Sequence, residues 1–146
     1  MNISRPLIKG SLLFLGGLLF LLAACEGVFS HSSLEITEVK TSLGIDADRN
    51  PVDVTSEFPP GTETVYCSFF WKGGKPSLTV RARWHYTSGD IPILDTSFKL
   101  TRVSDRGVLS LKMPPGKPLP AGEYRLDIEM NGKVLKSVPF TVLTTK

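Results

Sequence analysis

The chain has 146 residues, 41% of them hydrophobic, with 17 basic against 14 acidic side chains and a net charge of +3. Its charge is nearly balanced, so the basic excess overstates any attraction to nucleic acid or anionic lipid, which needs a clustered basic patch, and nucleic acid is not expected as a partner. The length suits one domain of ordinary size after a leader, able to bury roughly two-thirds of its unfolded surface without disulfides.

Arg5 and Lys9 precede an apolar stretch from Ser11 to Ala24 that contains no charged side chain. At 14 residues it is shorter than a membrane-spanning helix requires. A basic start, an apolar middle and small residues at the end are the layout of a secretory signal peptide, expected over residues 1–24. That leader ends in LAAC, Leu22, Ala23, Ala24 and Cys25, which resembles the lipobox of bacterial lipoproteins. The resemblance implies that the Cys25 thiol receives a diacylglycerol and that cleavage makes Cys25 the mature N-terminus. An ordinary cleavage site before Cys25 is the alternative. Two or more acyl chains hold a protein stably to a bilayer where one does so only marginally, so the protein is expected to be anchored rather than to span. Without residues 1–24 the remainder carries 15 basic and 14 acidic residues, close to neutral. With Cys25 lipidated, Cys67 has no partner for an intramolecular disulfide.

Residues 26–33, EGVFSHSS, lack periodicity and read as a tether from the lipidated cysteine, spanning at most about 26–29 Å. From Leu34 the apolar residues recur at every second position, and no long stretch keeps helical spacing, so an all-β domain is expected over 34–146. The first strand is placed at Leu34–Thr41, followed by a turn-rich stretch from Gly44 to Pro60. The next strand is Thr64–Trp71, ended by Gly73–Gly74. Leu78–Tyr86 alternates most cleanly, with Val80, Ala82 and Trp84 on one face and Arg81, Arg83 and His85 on the other. A less regular strand at Ile93–Thr101 begins after Pro92, which limits its start. Gly107–Met113 and Tyr124–Met130 follow, separated by a proline-rich loop. Asn131–Gly132 is a hairpin signal, because a type I′ turn needs positive φ at both central residues. It leads into a last strand at Lys133–Leu143. About seven strands at this spacing predict an antiparallel β-sandwich.

Two features point to an immunoglobulin-like sandwich: Trp84 in mid-strand, and LPAGEY, Leu119 to Tyr124, which resembles a tyrosine corner. A transthyretin-like sandwich is the alternative. FPPGTETVY (58–66), LTVRARWHYTSGD (78–90), PAGEYRLDIEMNGK (120–133) and VPFTV (138–142) together resemble a bacterial envelope domain with an immunoglobulin- or fibronectin-like fold. That resemblance implies fold and location and carries no catalytic residue across.

Asp46, Asp48, Asn50 and Glu57 stand at positions 1, 3, 5 and 12 of a calcium-loop spacing. Pro51 occupies position 6, where the sharp turn requires glycine, so a plain surface turn is the better expectation and no metal is assigned. His31 and His85 lack neighbours at ligand spacing. Cys67 alternates with Val65 and Phe69 and is expected in the core, not beside a base. No catalytic motif is present and no cofactor is expected. Candidate partner-binding residues are the outward Arg81, Arg83 and His85 of one strand and the outward Tyr66 and Phe70 of another. These two rows should lie in different sheets, and a solvated face or packing under a loop is the bland alternative for each.

The expectation is a lipid-anchored, non-catalytic envelope module that recognises another envelope protein through sheet edges, loops or these faces. The alternative is an accessory subunit of a larger envelope assembly; a calcium-binding or enzymatic domain is a remote third. Glu26 after the cysteine, where aspartate favours inner-membrane retention in some such lipoproteins, leans the expectation toward the outer membrane.

Overall fold

The computed structural model describes residues 33–146. The expected signal peptide, the expected lipobox residues Leu22, Ala23, Ala24 and Cys25, and His31 of the expected tether lie outside the described residues. Nine strands follow in chain order: β1 Glu35–Ile45, β2 Pro51–Val54, β3 Glu57–Phe58, β4 Thr64–Lys72, β5 Thr79–Tyr86, β6 Ile91–Lys99, β7 Asp105–Lys112, β8 Gly122–Met130 and β9 Lys133–Val142. They form two sheets, one ordered β2-β1-β4-β7 and the other β3-β9-β8-β5-β6. Every pairing is antiparallel except the short parallel contact of β3 with β9.

Alternation assigns the inner faces. Val65, Cys67 and Phe69 of β4 face Val80, Ala82 and Trp84 of β5 across a core completed by Tyr124, Leu126, Ile128 and Phe140. Strands β4 and β5, consecutive in sequence, therefore belong to opposite sheets, as expected for an immunoglobulin-like sandwich. Trp84 is 1% exposed and packs edge-on against Phe140, with ring centroids 5.9 Å apart. The Tyr124 hydroxyl donates to the Pro120 carbonyl at 2.5 Å, closing the tyrosine corner four residues upstream. Asn131 and Gly132 both have positive φ, 51° and 77°, and join β8 to β9 in a two-residue turn.

Leu34, Ile36 and Val39 do not share parity, yet all pack on the core. A register shift between Thr37 and Lys40, with Glu38 at φ 50°, inserts one residue and moves the inward set from even to odd positions. A second shift between Trp84 and His85 accommodates Pro92, which cannot donate to the ladder.

The stretch Gly44–Pro60, expected as turns, contains two strands. β2 pairs only with β1 and exposes Val52 and Val54, while β3 is two residues long. Neither offers a run long enough to alternate, yet Phe58 is fully buried. Between them the chain changes sheets: Thr55 N–H donates to Thr41 on the β1 side, and Ser56 accepts from Thr141 of β9.

The β1–β2 connection does not project from the end of the sheet. Arg49 at its tip donates to the Arg106 carbonyl at 2.6 Å and meets Asp105 at 3.0 Å, at the start of β7. β7 lies beyond β4 in the sheet, and Asp105 and Arg106 pair with its far end at Trp71 and Phe70. The hairpin consequently folds back over the outer side of β4. The outward Ser42 and Ser68 are buried although no second layer of sheet covers them.

Candidate functional site

Because β5 sits between β6 and β8, each outward residue of β5 has two lateral neighbours. Arg81 lies opposite Ser97 and Glu129, Arg83 opposite Asp95 and Asp127, and His85 opposite Pro92 and Arg125. The carboxylates on the flanking strands engage these cations diagonally. Arg81 grips Asp95 through two nitrogens, Nε at 2.7 Å from Oδ1 and Nη2 against Oδ2. Arg83 Nη2 stands 2.7 Å from Glu129 Oε1, and Arg125 Nε donates to Asp127 Oδ2 at 2.9 Å. Ser137 of β9 donates to the other Asp127 oxygen at 2.6 Å.

Asp127 and Glu129 are 6% and 4% exposed although they point away from the core. Each is held by a half-exposed arginine, Glu129 by Arg83 and Asp127 by Arg125, a residue type whose stem buries surface while its guanidinium head remains wet. The hydrogen bond from Arg81 holds the Asp95 carboxyl below the usual carboxylate range. The result is a ladder of alternating charge, not a row of free cations. His85 Nε2 is buried and lies 3.3 Å from Asp90 Oδ1 without hydrogen-bond geometry. An open groove of about 340 Å³ runs past it, lined by Arg83, His85, Asp90, Asp95, Arg125 and Asp127.

On the other sheet, Tyr66 and Phe70 are half-buried beneath the side crossed by the β1–β2 hairpin. Val52 and Val54, at 43% and 56% exposure, are the large apolar residues that β2 presents to solvent. The two expected rows are thus on separate sheets and do not converge on one site.

The calcium-loop residues do not assemble. Asp46 uses one carboxylate oxygen to accept the Asp48 and Asn50 backbone N–H groups at 2.9 and 2.7 Å, and the other to accept the Asn50 side chain at 3.0 Å. These bonds, the Asn50 side chain foremost, hold its pKa below the ordinary value. The carboxylate closes its own turn. Glu57 stands on β3 in the other sheet, and among the described residues no group of three or more potential ligands gathers.

Cys67 is fully buried, and burial pushes its thiol up to about 12, so it stays protonated and unreactive at neutral pH. An apolar cavity of about 160 Å³ between the β5-β6-β8 sheet and the β7–β8 connection, lined by Tyr86, Ile93, Leu119 and Tyr124 among others, is smaller than typical small-molecule sites.

Sequence reasoning located Arg81, Arg83 and His85 but missed Asp95, Arg125, Asp127 and Glu129. Their signal was the acidic and basic residues alternating in YRLDIEM. Only the register of β8 against β5 shows that these charges meet.

The fold and this face define an immunoglobulin-like β-sandwich. Neither a protein-family model nor a curated protein sequence matches the chain. Among solved structures, an immunoglobulin-like protein from Pseudomonas aeruginosa is similar over 77% of this chain and 98% of its own, with a TM-score of 0.56 and 14% identity. An alkylpurine DNA glycosylase from Pseudomonas fluorescens, bound to DNA containing an abasic site analog, matches at TM-score 0.49 and 15% identity. That match covers 76% of this chain and 30% of the glycosylase. A Niemann-Pick type C2 protein from the Japanese carpenter ant matches at TM-score 0.42 and 10% identity, over 75% and 90% of the two chains. At these identities the first likeness speaks for the fold alone.

Proposed function

We propose that the protein is a bacterial envelope lipoprotein, anchored through a diacylglycerol on Cys25, whose immunoglobulin-like domain is a non-catalytic binding or structural module. The observation that carries the reading is the LAAC sequence at the end of an uncharged apolar stretch that is too short to span a bilayer. Cys67 does not compete for the role, since it is enclosed between the sheets. The charge ladder on β5, β6 and β8 favours a partner protein over a polyanion. Its arginines already face carboxylates, so a partner with its own alternating charges matches it better than a run of phosphates. Arg81, Arg83 and His85 are the residues assigned to that contact, with Tyr66, Phe70 and the exposed β2 valines as a second surface.

Metabolic labelling with an alkyne fatty acid tests the anchor. The natural protein should incorporate label and Cys25→Ala should not; equal incorporation removes the anchor from the reading.

A further inference from the structure

The end of the sandwich at which the chain enters is chemically unlike the opposite end. Ser33 and Leu34 line one groove with Gly73, Lys75, Leu78, Met130 and Asn131, which brings the β4–β5 loop and the β8–β9 turn to the entry point. Backbone bonds from Gly74 to Val103 and from Ser77 to Leu100 hold the β6–β7 loop to the same end. These loops and the adjoining strand ends display Lys72, Lys75, Lys99, Arg102 and Lys133, all exposed. Glu35 lies opposite Lys72 in the ladder, and Asp105 is engaged by Arg49 at 3.0 Å and by Arg102 at 3.8 Å. None of the four lysines lies within ion-pair distance of a carboxylate among the described residues. In contrast, Arg81, Arg83 and Arg125 on the sheet face are all paired. Val103, 61% exposed, lies in the β6–β7 loop and accepts from Gly74 of the β4–β5 loop.

Only residues 26–32 separate Cys25 from the described domain, so the entry end cannot move far from whatever holds that cysteine. We infer that this end, with Val103 at its tip, seats on the anionic phospholipid headgroups of the membrane that carries the anchor, so that the domain stands upright with its opposite end presented outward. The inference rests on the lipoprotein reading for its geometry. Charge complementarity supports it independently, because unpaired lysines near an anionic leaflet each strengthen attachment by about fivefold. The opposite end, marked by Tyr86 and Ile91, lies seven residues along β5 from Thr79, about 23 Å away.

The test uses the processed full-length protein in nanodiscs, with a polarity-sensitive dye on Val103→Cys or, for the opposite end, on Ile91→Cys; Cys67 is enclosed and does not label. In discs containing phosphatidylglycerol at low salt, the dye at 103 should be about tenfold less accessible to an aqueous quencher than the dye at 91. The difference should vanish in phosphatidylcholine discs, near 1 M salt where the screening length is about 3 Å, and in Lys72→Gln/Lys75→Gln/Lys99→Gln. Equal quenching at the two positions in anionic discs overturns the inference. Release from the discs at high salt would instead show that the anchor reading has failed. Flotation of the unanchored chain with phosphatidylglycerol vesicles at low salt then decides the matter: the triple variant should bind about a hundredfold more weakly, and equal binding overturns the inference.

Discussion

Gly107 on β7 lies opposite Phe69 of β4, and the Phe69 ring fills the space where a side chain would stand. A Cβ built at Gly107 would sit 2.4 Å from Phe69 Cζ and under 3 Å from two more ring carbons. Ordinary contact begins at 3.4 Å, so Gly107→Ala demands a ring displacement of about 1 Å. The ring is not free to make it. Phe69 is 2% exposed, with Trp71 and Phe98 centred 6.0 and 6.2 Å away. Overpacking a filled core costs up to about 3 kcal/mol, while replacing glycine in a strand returns roughly 0.5–1 kcal/mol of backbone entropy. The expected net loss is about 2 kcal/mol, or a Tm lower by about 8 °C at roughly 4 °C per kcal/mol for this size. Urea unfolding followed by the fluorescence of Trp71 and Trp84 measures it. Pairing the change with Phe69→Leu should remove at least about 1 kcal/mol of the Gly107→Ala penalty, as a non-additive cycle. Gly116→Ala, with positive φ but nothing within 4 Å, should cost only its backbone strain and show no coupling to position 69. A Gly107→Ala protein within about 0.5 kcal/mol of the natural one, or a strictly additive cycle, would refute the role given to the ring.

Tyr124→Phe should destabilise by about 1 kcal/mol, since it removes the donor to Pro120 and leaves that carbonyl without this partner; an unchanged urea midpoint would show that the corner bond is idle. Asp46, Asp95 and Asp105 are all held below the ordinary value of 3.8, chiefly by hydrogen bonds from the Asn50 side chain, Arg81 and the Arg106 backbone respectively. Each is therefore more acidic folded than unfolded, so its stabilising share is fully present above about pH 4 and is lost as pH falls through the lowered folded values. The urea midpoint should drop between pH 4 and pH 2.5 and drop less in Asp95→Asn; equal midpoints at pH 6 and pH 2.5 would contradict the hydrogen bonds assigned to these groups.

Most of the sandwich is legible because its long strands are half-buried, and period-2 alternation then writes the inner face directly into the chain. Strands β4, β5, β7, β8 and β9 fall within two residues of the boundaries that alternation predicts. The tyrosine corner and the Asn131–Gly132 turn were visible for a different reason: each depends on residues whose backbone or side-chain chemistry is local. β2 and β3 were not visible. A four-residue edge strand with exposed valines and a two-residue parallel contact have no pattern of their own, and they exist because β1 and β9 offer unpaired edges. Phe58 is a core residue that only tertiary structure reveals.

The candidate face shows where alternation stops being informative. It states that Arg81, Arg83 and His85 point outward, and it states the same of Arg125, Asp127 and Glu129, but it does not say which lies beside which. A shift of two residues between β5 and β8 would preserve both inner faces and put different charges together. The observed register sets Arg83 beside Asp127 with Glu129 two residues along the same strand, and the long guanidinium side chain reaches diagonally to Glu129. That diagonal reach converts a row of cations into a neutral lattice and allows two outward carboxylates to be buried without facing the core. At the entry end Lys72 lies opposite Glu35, Lys99 opposite Thr79 and Lys133 opposite Met130, and none of these lysines comes within ion-pair distance of a carboxylate among the described residues. Unpaired lysines collect instead at the end of the sandwich where Ser33 and Leu34 enter it.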